Sequence, residues 1–123
     1  SGGGLQCLNA LRAPGTWEKL SRQPYARDLT PRSYQEYVEH LVSVAGLTLK
    51  WPEALPAKER RWMGEQRPFV GWGMRRKTVL LELGLILGGH FDFVLETHQV
   101  RILSSEDARK FWRTWWQERE RGK

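Results

Sequence analysis

The sequence predicts a single α+β domain, with helices in its N-terminal half, a small antiparallel sheet or hairpin across about 79–103, and an amphipathic C-terminal helix. Apolar residues recur at helical spacing before Gly46 and after Ser104, and they alternate with polar ones from 90 to 103. At 123 residues one domain is the expected count. A chain of that size buries roughly two thirds of its unfolded surface, so one core suffices without staples. Residues 1–4, Ser-Gly-Gly-Gly, read as an appended scar or linker end, and 5–123 as the globular domain.

Residues 5–11 form a short apolar lead-in that Ala13-Pro14-Gly15 breaks; Thr16 is then placed to cap a helix running from Trp17 to before Pro24. Thr30 followed by Pro31 is a second helix start, because proline at the first helical position gives up no hydrogen bond. Tyr34, Tyr37, Val38, Leu41, Val42 and Ala45 make one continuous stripe, which Gly46 stops. Residues 47–51 alternate as a short strand ended by Pro52, and 56–64 hold a short helix with Trp62 and Met63 inward. Val79–Leu87 is almost continuously apolar, so periodicity cannot separate buried strand from buried helix. Gly84 disfavours a helix by about 1 kcal/mol relative to alanine, and Gly88-Gly89 suits a hairpin turn. Strand is the preferred assignment; the helical alternative would place a helix before a hairpin, the ending of a winged-helix domain.

Residues 90–96 read as a strand with Phe91, Phe93 and Leu95 on one face and His90, Asp92, Val94 and Glu96 on the other. Thr97-His98 turns the chain and Gln99–Leu103 returns. Ser104 caps the last helix through Asp107, and Ala108, Phe111, Trp112, Trp115 and Trp116 form its apolar stripe. Glu106 and Asp107 in its first turn and Arg119 and Arg121 in its last complement the helix dipole.

Net charge is +6 and unevenly placed. Residues 51–77 carry seven basic and three acidic groups, 78–107 one and five, and 108–123 six and two. A one-sided basic field attracts phosphate backbones. Arg60, Arg61, Arg67, Arg75, Arg76 and Lys77 lie near Trp62, Phe69 and Trp72, and cations interleaved with flat rings suit single-stranded nucleic acid. On the last helix Arg109, Lys110 and Arg113 lie opposite the tryptophan stripe. Solvated arginines around core tryptophans would read the same way. There are seven tryptophans, and exposed ones mark contact surfaces.

Signals for chemistry are sparse. The only arrangement worth testing is His90, Asp92, Glu96 and His98 on one strand face, which could hold a divalent ion in a nuclease-like site. At about 3.3 Å per residue the strand separates His90 from His98 by more than ~20 Å, so the four cannot share one ion, and His90 with Asp92 is the only close pair. A solvent-facing polar strand face is the preferred reading of them. His40 sits beside Glu36 and Glu39 without a second histidine at helical metal-binding spacing. Cys7, the single cysteine, excludes an internal disulfide and reads as a buried structural thiol. No glycine-rich loop has phosphate-binding form, so no catalytic residue, metal or cofactor is assigned.

No apolar run approaches the roughly 20 residues of a membrane span, and no leader pattern precedes the fold, which predicts a cytoplasmic chain without a membrane partner. Arginine outnumbers lysine 14 to 6, with one asparagine. That bias suits a GC-rich source, and the scarcity of thermolabile residues suits a thermophilic one. The leading expectation is a non-enzymatic accessory or regulatory protein acting on a nucleic-acid-containing complex through the basic and aromatic residues named above. The alternatives are a protein–protein inhibitor or adaptor, of the kind phages and mobile elements encode, docking on a larger host machine, and a metal-dependent nuclease-like enzyme.

Overall fold

Ser33 begins a core helix by closing a capping box: its hydroxyl accepts from the Glu36 N–H while the Glu36 carboxylate accepts from the Ser33 N–H. In the computed structural model, which describes residues 2–25, 30–67 and 77–122 with side chains from Cys7 onward, that helix is α3 (Tyr34–Val44). It follows α1 (Gly2–Arg12), α2 (Pro14–Arg22) and the short β1 (Pro24–Tyr25), and precedes β2 (Thr48–Lys50) and α4 (Ala57–Gly64). Then come β3 (Lys77–Thr78), α5 (Val79–Leu87), β4 (Asp92–Glu96), β5 (Gln99–Leu103) and α6 (Ser105–Arg121). The α+β class is as the sequence predicts.

Several local expectations are corrected. The start of α3 lies three residues beyond Pro31, because Ser33 rather than Thr30 makes the cap. Thr16 does not cap α2, which starts at Pro14; its buried hydroxyl instead donates to the Glu96 carbonyl and accepts from the His98 N–H, tying α2 to the hairpin turn. The N-terminal lead-in is helical, and the backbone of Gly2, Gly3 and Gly4 belongs to α1. Cys7 lies on an exposed side of that helix, not in the core.

Val79–Leu87 is a helix. Thr78 caps it by accepting from the Leu81 N–H, and Val79, Leu83 and Leu87 are buried at i, i+4 and i+8. Gly84 is tolerated because burial of this face outweighs the intrinsic cost of glycine. The antiparallel hairpin is therefore confined to β4 and β5, in register from Asp92↔Leu103 to Glu96↔Gln99. β2 joins the other side of β5 in parallel, Thr48↔Gln99 to Lys50↔Arg101, giving the strand order β2-β5-β4. His98 takes φ +59° at the hairpin tip.

One face of this sheet contributes Phe93, Leu95, Val100 and Ile102 to a core shared with Leu20, Tyr37, Val38, Leu41, Leu83 and Leu87. Val94 was expected on a polar face, yet it is fully buried, because α6 covers that side with Ala108 and Trp112. β4 is an edge strand, and α1 closes it: the buried Asn9 carboxamide donates to the Phe93 carbonyl at 3.1 Å and accepts from the Leu95 N–H at 2.9 Å. Asn9 thus replaces a neighbouring strand by satisfying the backbone groups that the edge would otherwise leave open.

Between α3 and α5, Tyr37 is fully buried with its hydroxyl 2.7 Å from Glu82 Oε1. Its single proton, given to that carboxylate, makes it the acceptor for the neighbouring Tyr25 hydroxyl. Burial first, then the hydrogen bonds with Tyr25 and Glu82, hold the Tyr37 phenol well above the usual tyrosine range.

Candidate functional site

The residues proposed from sequence between 60 and 77, Trp62 aside, divide into three groups. Arg60 and Arg61 are exposed on α4 with Lys58, and among the described residues no carboxylate pairs with any of the three. Arg67 and Lys77 serve the core's edge: the Arg67 guanidinium lies 3.9 Å over the Tyr37 ring, and Lys77 Nζ is 3.9 Å from Glu82 Oε2. Phe69, Trp72, Arg75 and Arg76 lie outside the described residues.

Trp62 is corrected as a stacking platform for bases. It is 7% exposed and already sandwiched, with Tyr34 on one side and His90 on the other, each at 4.7 Å between ring centroids. The same stack removes His90 from the strand face on which sequence placed it. His90 belongs to the turn after α5, its N–H bonded to the Leu87 carbonyl. Glu96 engages arginines, and His98 Nδ1 accepts from Lys19 Nζ at 3.2 Å. The polar strand face thus disperses into three separate sets of contacts. Among the described residues no three His, Cys, Asp or Glu side chains converge as a metal site.

The last helix carries four aromatic rings in series. Trp112 is buried, Phe111 and Trp115 are half-buried, and Trp116 is 42% exposed. The rings touch in series: Phe111 to Trp112 at 5.1 Å, Trp112 to Trp115 at 5.6 Å, and Trp115 to Trp116 at 6.1 Å. Trp112 docks the helix and the stripe then rises out of the core. Arg109 and Arg113 are exposed, as placed from sequence.

Arg12 and Arg101, neither proposed from sequence, complete this site. Their guanidinium carbons lie 4.8 and 5.0 Å from the Phe111 centroid, and both reach Glu96, at 3.7 and 3.0 Å. Arg119 lies 5.2 Å over Trp115. An open cleft of about 580 Å³ runs along Arg12, Arg101, Lys110, Phe111 and Trp115. A second, of about 310 Å³, adjoins it through Arg12 and Trp115 and extends to Leu11 and Arg119. Arg101 could have been suspected from its alternation with Val100 and Ile102, which turns it toward the α6 side of the sheet. Arg12 carries no such signal, because only the tertiary packing of α1 brings it to Phe111.

A helix followed by a hairpin, which the winged-helix alternative requires, is present in α5, β4 and β5. Reading a DNA groove needs hydrogen-bonding side chains on the inserted helix. The exposed positions of α5 are Leu81, Gly84 and Leu85, which offer none. Comparison with protein-family models, curated proteins and solved structures finds no match for this chain. No helix among the described residues is long and apolar enough to cross a membrane.

Proposed function

We propose that this chain is a small non-enzymatic regulatory or adaptor protein of the cytoplasm that docks on a protein partner through the aromatic face of α6. The carrying observation is Trp116, 42% exposed at the end of a ring series anchored by Trp112. Solvent-facing tryptophan bordered by arginine is the composition of interface hot spots, where a rigid ring desolvates a partner and guanidinium groups form the rim.

A second reading rests on α4. Its exposed Lys58, Arg60 and Arg61 favour phosphate contact, and through them the protein would act on a nucleic-acid-containing complex.

The test compares Trp116→Ala with the double variant Arg60→Glu/Arg61→Glu. Co-purified partners from the native source and titration with mixed-sequence oligonucleotides are both measured. Loss of one defined partner in Trp116→Ala alone supports the docking reading. Oligonucleotide binding that weakens steeply with salt and disappears in the α4 variant supports the second reading. Full partner retention by Trp116→Ala refutes docking through α6.

A further inference from the structure

The cleft beside Trp115 has a charge imbalance that narrows the chemistry of its occupant. Arg12 and Arg101 share one carboxylate, Glu96. Glu96 takes Arg101 through Nε and Arg12 through one terminal nitrogen, while each guanidinium carries five N–H donors. The Nε of Arg12 is buried with no hydrogen-bond partner among the described residues. The pair therefore leaves one positive charge beside Phe111, and Arg119, with no carboxylate partner there, adds another over Trp115. Leu11, 53% exposed, adds apolar surface to the smaller cleft, and Trp116 lies against Trp115 at 6.1 Å between ring centroids.

The lining is not a continuous cationic track. Asp107 and Glu118 also border the larger cleft, and α6 as a whole carries five basic and four acidic side chains. A polyphosphate backbone would meet those carboxylates at close range. A peptide can set its charges at chosen positions and avoid them.

We infer that this cleft binds an acidic peptide segment of a protein partner. A large apolar side chain of the segment rests on Phe111 and Trp115, and its carboxylates meet Arg12, Arg101 and Arg119. Bidentate guanidinium–carboxylate pairing next to an aromatic ring supplies both orientation and affinity. The inference rests on reading α6 as the protein-docking face.

Tryptophan emission of the intact chain is titrated with a blocked synthetic peptide alternating aspartate with leucine and phenylalanine. Its counterpart with lysine for aspartate and an oligouridylate serve as controls. The acidic peptide is expected to bind, at least about tenfold more weakly to Arg12→Gln/Arg101→Gln, which loses charge-assisted hydrogen bonds. Arg119→Glu, an exposed change that leaves the fold intact, is expected to weaken it at least about threefold. No binding of the acidic peptide, equal binding by wild type and Arg119→Glu, or stronger binding of oligouridylate through the same arginines overturns the inference. If the acidic peptide fails while Trp116→Ala still releases a native partner, docking through α6 stands and its acidic chemistry falls. If Trp116→Ala keeps the partner, docking through α6 fails and takes this inference with it.

Discussion

Helices α4 and α6 are each pinned to the fold by one buried tryptophan, and beyond that anchor they part. On α4 the ring of Trp62 is consumed between Tyr34 and His90, so no aromatic ring reaches solvent beside the exposed Lys58, Arg60 and Arg61. On α6 the ring of Trp112 is consumed, but the series continues outward to Trp115 and Trp116 among charges of both signs. Single-stranded nucleic acid requires cations and free rings together. α4 shows cations without a free ring, whereas α6 shows rings and cations interleaved with carboxylates that a phosphate backbone would meet. That difference is why α6 reads as a surface for a protein and α4 as one for phosphates.

The comparison breaks first if its premise of two equivalent anchors is wrong. Trp62→Ala and Trp112→Ala are each expected to cost about 3–5 kcal/mol in denaturant unfolding, the range for truncating a buried aromatic. A small loss at Trp112 would mean that α6 is held by something other than its tryptophan. Asn9→Ala tests the support that α1 gives this side of the sheet. It strands the Phe93 carbonyl and the Leu95 N–H and is expected to cost roughly 2–4 kcal/mol by the same measurement.

On the α4 side, Tyr37→Phe leaves Glu82 without its phenolic donor and is expected to cost about 1–3 kcal/mol. The raised phenol pKa also has a pH signature. Above the ordinary tyrosine value of 10.0 only the unfolded chain releases this proton, so the contribution of Tyr37 to stability is lost as pH rises. Unfolding curves measured across that range should fall less steeply in Tyr37→Phe.

Glu36 gives the opposite limb. The Ser33 backbone N–H first, then the Ser33 side chain, hold its carboxyl below the ordinary value of 4.5. The stabilisation is present above that value and is lost as pH falls through the lower folded-state pKa. Glu36→Gln should flatten the acid limb without moving the alkaline one.

The smallest effects on stability sharpen the comparison most. Trp116→Ala and Arg60→Glu/Arg61→Glu are each expected to change unfolding by no more than about 0.5 kcal/mol. They should nonetheless separate two binding activities, which makes them clean reporters of surface function.

Much of the frame was legible because each signal was local. The α3 stripe, the Ser104 cap, the hairpin turn at Thr97-His98 and the inward Trp62 and Met63 follow from spacing within one element. Val79–Leu87 was misassigned because the local signals, a continuous apolar run and a glycine, cannot see the α2 and α3 surfaces that reward a helix there. Val94 was placed on a solvent face because its strand alternates correctly, but alternation does not reveal that α6 returns to cover the second face. The site was half legible: its rings were visible at helical spacing, while Arg12, 99 positions before Phe111 in sequence, comes to that ring only through the packing of α1.

The carboxamide of Asn9 also sets what happens when the first helix lets go. Phe93, Val94 and Leu95 form a short apolar run at the rim of the sheet, and one amide from the first helix keeps that strand from pairing with a second chain.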